Sequence, residues 1–300
     1  MALQTSEIHA DGPHGLLAGS LLSPAGASDC AVLIIPGSGP TDRDGNNPFG
    51  IKSAMYRLLA EGLADRSIAS LRVDKRGMFG SAAAVPDANA VTLADYADDV
   101  LNWVAVLRER TAARRLYLLG HSEGAMVALA AAERADVDGL ILLCSPGRPL
   151  GVIVREQFAA MPEYEALMAP VDATLAEFAA GRHVASAALP PALQSIFPPA
   201  VQNFVIDVFR YDPAALLARE TRPVLIVQGL RDLQIGLADA RALQQAGHGA
   251  RLLLLPHMNH VLKDVPENDR AANLAAYADP ALPLSAGLVS GIADFLADAR

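Results

Sequence analysis

Gly120-His121-Ser122-Glu123-Gly124 places one serine between two glycines, where the apolar run 116–119 stops and the small-residue run 125–132 begins. G-x-S-x-G between a strand and a helix is the pattern of a nucleophile on a sharp turn, its hydroxyl lifted clear of the neighbouring backbone. A serine hydroxyl is a weak nucleophile, so it needs a base, and the base needs a group to orient it. Both follow in the order Ser, Asp, His. "PVLIVQGLRDLQI" puts Asp232 after one apolar run, and "RLLLLPHMNHVLK" puts His257 and His260 after the next. Of the two histidines His260 is favoured, because it lies farther past its run in a stretch able to fold back toward the serine. Asp232 has plainer readings, as a partner of Arg231 or as the cap of a helix beginning near Leu237. Its occurrence in order with Ser122 and a following histidine favours the orienting acid. The chemistry implied is acyl transfer through a covalent serine intermediate.

Such chemistry needs donors for a developing oxyanion. The glycine-rich "IIPGSGPTDRDGNN" follows another apolar run and offers the Ser38 N–H, and the residue after the nucleophile offers the Glu123 N–H. Gly37, Gly39 and His121 are expected to border the substrate. Competing readings of this loop are weaker. G-x-G-x-x-G is broken by Asp42, no Gly-Lys-Ser/Thr follows for phosphate, and "DRDGN" lacks the remaining ligands of a calcium loop, so it reads as a turn. His9, His14, His183 and His248 read as surface or loop residues and His257 as a strand-end neighbour. No set has metal-ligand spacing, and no metal or cofactor is expected.

The elements that must hold these residues alternate. "CAVLIIPG", "IASLRVD", "RLYLLG", "GLILLCS", "PVLIVQG" and "RLLLLP" read as buried strands, separated by amphipathic helices, behind a leading hairpin over residues 3–9 and 15–22. The fold class is therefore α/β, a mostly parallel sheet with helices on both faces. The clearest helix is "TLADYADDVLNWVAVLRER", where Leu93, Tyr96, Val100, Trp103, Val104 and Leu107 recur at helical spacing behind a Thr92 cap. Alternation fails between about residues 147 and 221, a proline-punctuated helical insertion. A core domain of 1–146 and 222–300 with a cap of 147–221 is the expected division. Phe158, Phe178, Phe197, Phe204 and Phe209, with Met161, Tyr164 and Met168, are expected to form a small core of the cap and to line an apolar pocket.

Composition limits the partners. The formal net charge of −9 argues against a phosphate-backbone partner, so no nucleic acid is expected. No apolar run approaches the ~18 residues of a membrane span. The first residues lack a basic segment followed by an apolar one, so a cytoplasmic protein is expected. Cys30 and Cys144 read as buried free thiols rather than a disulfide or metal pair.

With "GSGPTDRDGN", "LRVDKRGMFGS", "GHSEG", "YDP" and "NHVLK" the chain resembles, over nearly its whole length, the bacterial carboxylesterases of the α/β-hydrolase superfamily. The resemblance implies that fold, with Ser122 as nucleophile, His260 as base, Asp232 as acid and the Gly37–Gly39 turn as oxyanion loop. It also implies structural roles for Asp74 and Arg76. Pro36 stands where many relatives carry histidine. Together these readings point to hydrolysis of small-molecule carboxylic esters of short to medium acyl chain. Amidase, peptidase or thioesterase chemistry with the same triad is the nearer alternative, and a ligand-binding protein on the same scaffold the farther one.

Overall fold

The computed structural model describes residues 4–267 and 269–299. Among them eight strands form one sheet: β1 (Gln4–Asp11), β2 (Leu16–Ser23), β3 (Cys30–Ile35), β4 (Ala69–Val73), β5 (Arg115–His121), β6 (Gly139–Leu143), β7 (Val224–Gly229) and β8 (Arg251–Leu255). Their spatial order is β1-β2-β4-β3-β5-β6-β7-β8. β1 pairs antiparallel with β2, and β2 with β4, while every later pairing is parallel. The expected leading hairpin is present, its first strand running two residues further and its second shifted by one residue, although Leu3 of that expectation lies outside the described residues.

Helices α1 (Met55–Ala64), α2 (Leu93–Arg110), α3 (Glu123–Ala132), α9 (Leu237–Ala246), α10 (Arg270–Ala275) and α11 (Leu288–Asp298) belong to the body around this sheet. Between β6 and β7 run α4 (Leu150–Ala159), α5 (Met168–Ala179), α6 (Pro191–Ile196), α7 (Pro199–Val208) and α8 (Pro213–Leu217). Side chains alternate along a strand, so β3 sends Ala31, Leu33 and Ile35 to one core and Cys30, Val32 and Ile34 to the other. The first core is closed by α2, α3 and α9, the second by α1 and α11. α2 begins where the sequence says it should: the Thr92 hydroxyl accepts from the Asp95 N–H while the Asp95 carboxylate accepts from the Thr92 N–H.

One strand departs from expectation. β8 is the sheet edge, with only Leu255 buried and Leu254 exposed, so a run of four leucines marks a half-covered strand rather than a buried one. Cys30 and Cys144 are free and buried, as their apolar settings suggested. No helix among the described residues is long and apolar enough to cross a membrane.

The segment between β6 and β7 has an apolar cluster of its own, built on Phe158, Val171, Phe178, Leu193, Phe197 and Ile206. α8 at its end instead rests on α3 and α9, and its Leu217 lies in the first core of the body.

Candidate active site

After β3 the chain crosses to β4 on one side and then returns to β5 on the other, so the strand order reverses between β3 and β5. The crevice past the carboxyl ends of two such strands is where open α/β sheets bind ligands. Ile35 pairs with Gly120 there, which sets the loop after β3 beside the turn after β5.

Ser122 occupies that turn with φ 54° and ψ −123°, a backbone strain that the surrounding structure must hold. Its N–H donates to the Leu143 carbonyl at 2.9 Å, tying the turn to β6. The two flanking glycines are explained by crowding. A Cβ on Gly120 would stand 2.3 Å from the Gly124 carbonyl oxygen, and one on Gly124 would stand 2.3 Å from the Ile35 oxygen and 2.6 Å from that of Pro36. Only bare backbone lets α3 start so close to two strands.

Asp232 and His260 meet, although 28 residues separate them. His260 Nδ1 lies 2.8 Å from Asp232 Oδ2, and the other carboxylate oxygen accepts from the N–H groups of Gln234 at 2.7 Å and Ile235 at 2.9 Å. Burial pushes the Asp232 carboxyl up, but His260 and these two N–H groups outweigh it and hold the carboxyl below its usual range. The plainer readings of Asp232 do not hold: Arg231 pairs with Glu267 at 2.9 Å, and α9 starts behind Gly236 without a side-chain cap. His257 is exposed, as are His9, His14, His183 and His248. Among the described residues His260 Nε2 and the Ser122 hydroxyl have no protein partner, and both residues line one cavity of about 150 Å³.

Neither the Ser38 N–H nor the Glu123 N–H donates to an acceptor within the described residues, and both residues line a second, more apolar cavity of about 220 Å³ with Ser122. Leu150, Ile153 and Val154 of α4 and Phe204, Val205 and Val208 of α7 close it from above. Of the five phenylalanines expected in this role only Phe204 lines the cavity; Phe158, Phe178 and Phe197 pack on one another in the cluster behind it.

His121 has no hydrogen-bonding group to spare for a substrate. Its Nε2 is 2.9 Å from the His260 carbonyl oxygen and its Nδ1 is 2.8 Å from the Tyr56 hydroxyl, which also accepts the Gly37 N–H at 2.9 Å. A carbonyl only accepts, so Nε2 carries the proton and Tyr56 donates to Nδ1. Gly37 N–H, Tyr56, His121 and the His260 carbonyl form one chain of hydrogen bonds linking the loop after β3 to the loop after β8. Gly39 turns the first loop at φ 68°.

Asp74 and Arg76 are structural. Asp74 accepts from the Arg43 backbone and guanidinium at 2.8–3.0 Å, fixing the "DRDGN" loop, and Arg76 pairs with Asp99 at 2.7 Å on α2. Asp42 spends its carboxylate on the N–H groups of Asp44 and Asn46, so that loop is a turn. The only described set with metal-ligand proximity is His121, Cys144 and His260, within 4.8 Å. It does not fit a metal: both His121 nitrogens and His260 Nδ1 are engaged, and burial raises the Cys144 thiol well above its usual range.

The sequence does not single out Tyr56, or Lys75, whose ammonium donates to the Gly37 carbonyl at 2.7 Å, as neighbours of Ser122. Nothing in their spacing points to the site, since each reaches it through the fold.

Fold and site together define a class. The profile of the alpha/beta hydrolase family matches residues 32–277, and the chain belongs to that family. It is also similar to Esterase EstD of Thermotoga maritima, 29% identical over 251 residues. That match takes in 82% of this chain but only 58% of the relative, so the chain spans less than two thirds of its length. Among solved structures, Est1E from Butyrivibrio proteoclasticus superposes with a TM-score of 0.60 at 16% identity over 98% of both chains. The Pyrococcus furiosus esterase Pf2001 superposes with a TM-score of 0.62 at 14% identity, over 99% of this chain and 91% of its own.

Proposed function

We propose that this protein is a carboxylesterase that hydrolyses small esters through an acyl-enzyme, with Ser122 as nucleophile, His260 as base and Asp232 as orienting acid. The observation that carries this is the Asp232–His260 contact at 2.8 Å, beside a free serine hydroxyl on a strained turn. Ser122 attacks the ester carbonyl while His260 Nε2 takes its proton, and Asp232 keeps Nδ1–H directed inward. The oxyanion is received by the N–H groups of Ser38 and Glu123, at the positive end of α3. His260 returns the proton to the leaving alcohol, and water repeats the sequence on the acyl-enzyme. The Thermotoga maritima relative is itself an esterase by name, which agrees with this reading.

The two cavities support a division of the substrate. The leaving oxygen must lie within reach of His260, so the alcohol half belongs in the smaller cavity, which Thr41, Asn47, Tyr56 and Tyr277 also line. The acyl half then lies in the apolar cavity under α4 and α7, of a size for short to medium chains. Residues 147–221 thereby act as the cap of the site.

A panel of p-nitrophenyl esters, an aminoacyl anilide and an acyl-CoA, assayed on wild type and Ser122→Ala, tests the reading. Esters should be turned over best, and loss of the hydroxyl should lower kcat by ~10⁴ to 10⁶. A Ser122→Ala protein with near wild-type turnover refutes the assignment, and preference for the anilide or the thioester moves it to another acyl transfer.

A further inference from the structure

Lys75 follows β4 and is buried, only 6% exposed. Its ammonium donates to the Gly37 carbonyl at 2.7 Å, lies 3.5 Å from Glu123 Oε1 and sits over the Tyr96 ring at 5.5 Å. Burial pulls its affinity for a proton down, and Glu123 opposes that. A buried charge persists only where it is paired, and its partners say what it holds in place. Here they are one carbonyl and one carboxylate, and they belong to the two segments that carry the proposed oxyanion donors.

The geometry of a single peptide makes this consequential. In a trans peptide C=O and N–H point in opposite directions, so drawing the Gly37 oxygen toward Lys75 turns the Ser38 N–H of the same peptide away from it. Ser38 borders both cavities at Ser122 and its N–H has no acceptor among the described residues, which leaves that donor available to an ester oxygen placed there. The Gly37 N–H, which belongs to the preceding peptide, is held separately by Tyr56, so the contact that opposes a flip of the Gly37–Ser38 peptide is the one Lys75 makes with the Gly37 oxygen. A cation on the carbonyl also draws electrons through the amide resonance and makes the N–H a stronger donor. On the other side the Glu123 carboxylate ties its own residue, whose N–H is the second donor, to the same ammonium.

We propose that Lys75 is the positioning residue of the oxyanion hole: its ammonium clamps the Gly37–Ser38 peptide to Glu123 and so aims and strengthens the donors that receive the tetrahedral anion. The proposal rests on the reading of Ser122 as the nucleophile of ester hydrolysis. A lysine that merely stabilised the fold would affect substrate and transition state alike; a clamp on these donors acts where negative charge develops.

Lys75→Met keeps the length of the side chain and removes its charge, and Lys75→Arg keeps the charge. With p-nitrophenyl butyrate, Lys75→Met should lower kcat by about 10- to 100-fold, short of the ~10²- to 10³-fold cost of deleting a donor, with KM changed by less than about threefold. The Ki of an alkyl trifluoromethyl ketone, whose carbonyl carbon bonds to Ser122 Oγ and whose oxygen becomes the anion, should rise by the same factor as kcat/KM falls. Lys75→Arg should recover part of both losses. Circular dichroism and thermal melting establish that each variant is folded. If Lys75→Met does not fold, Lys75→Gln, which retains a neutral donor for Gly37, should show the same coupled fall in kcat and rise in Ki. A folded variant with wild-type kcat and Ki, or one that changes KM alone, overturns the clamp. A wild type inert to both ester and ketone overturns instead the reading of Ser122.

Discussion

His121 is held neutral by its surroundings, and that has a measurable cost in acid. The ring is 2% exposed; burial first, and then the neighbouring His260, lower its pKa to about 3, against the small opposing pull of the His260 carbonyl and Asp232. Protonating Nδ1 would set a new N–H against the Tyr56 hydroxyl, which already accepts from Gly37 and has no other described acceptor for its own proton. In the unfolded chain the same imidazole titrates near ~6.5. Above that pH both states are neutral and His121 adds no pH dependence. As pH falls from about 6.5 toward about 3 the unfolded chain takes up a proton that the native state refuses, and stability drops by about 1.4 kcal/mol per pH unit. At about pH 5 the accumulated loss is about 2 kcal/mol relative to about pH 8. The assay is urea unfolding of wild type and His121→Gln at those two pH values. Other groups titrate in both proteins, so the wild type should lose about 2 kcal/mol more than the variant between them. An equal loss in both refutes the claim that His121 is buried neutral, whatever the absolute stability of the variant.

Gly124→Ala should push α3 away from the Ile35 and Pro36 carbonyls and lower stability by about 1 to 3 kcal/mol, read as a fall in the urea midpoint; an unchanged midpoint would mean the close approach is not there. His260→Ala should abolish ester turnover while His257→Ala, at an exposed position, changes it little, and the reverse result would exchange their roles. Phe204→Ser should flatten the dependence of kcat/KM on acyl chain length, in which each buried methylene is worth at most ~0.8 kcal/mol, while leaving acetyl ester cleavage intact. Phe178→Ser, in the cluster behind the cavity, should lower the melting temperature and leave that profile in place.

Periodicity carried the fold. All six apolar runs became strands and the α2 spacing gave its buried face, because each of these signals is local to a short window. The exposure of β8 was hidden, since four successive leucines look alike in the centre and at the edge of a sheet. The Asp232–His260 contact follows from position at the strand ends, which the order of the chain discloses. Tyr56, on a helix whose apolar face explains it fully, and Lys75, one lysine in "VDKRG", become part of the site only when β3, β4 and α1 are brought together. The phenylalanines show the converse difficulty: their number pointed to an apolar interior, but composition does not say which side of a helix faces a cavity and which a neighbour.

The segment between β6 and β7 enters and leaves the body at two places, while Ser122, Asp232, His260 and Lys75 all sit on loops outside it. Six apolar side chains on α4 and α7, with Gln157 of α4 beside them, form the roof of the apolar cavity. On the proposed reading, the acyl half of selectivity and the catalytic residues are thus written in separate stretches of the gene. A library randomised at Leu150, Ile153, Val154, Phe204, Val205 and Val208 can wander through new acyl groups while the catalytic apparatus is inherited unaltered, so laboratory evolution should retrain this protein from the roof downward.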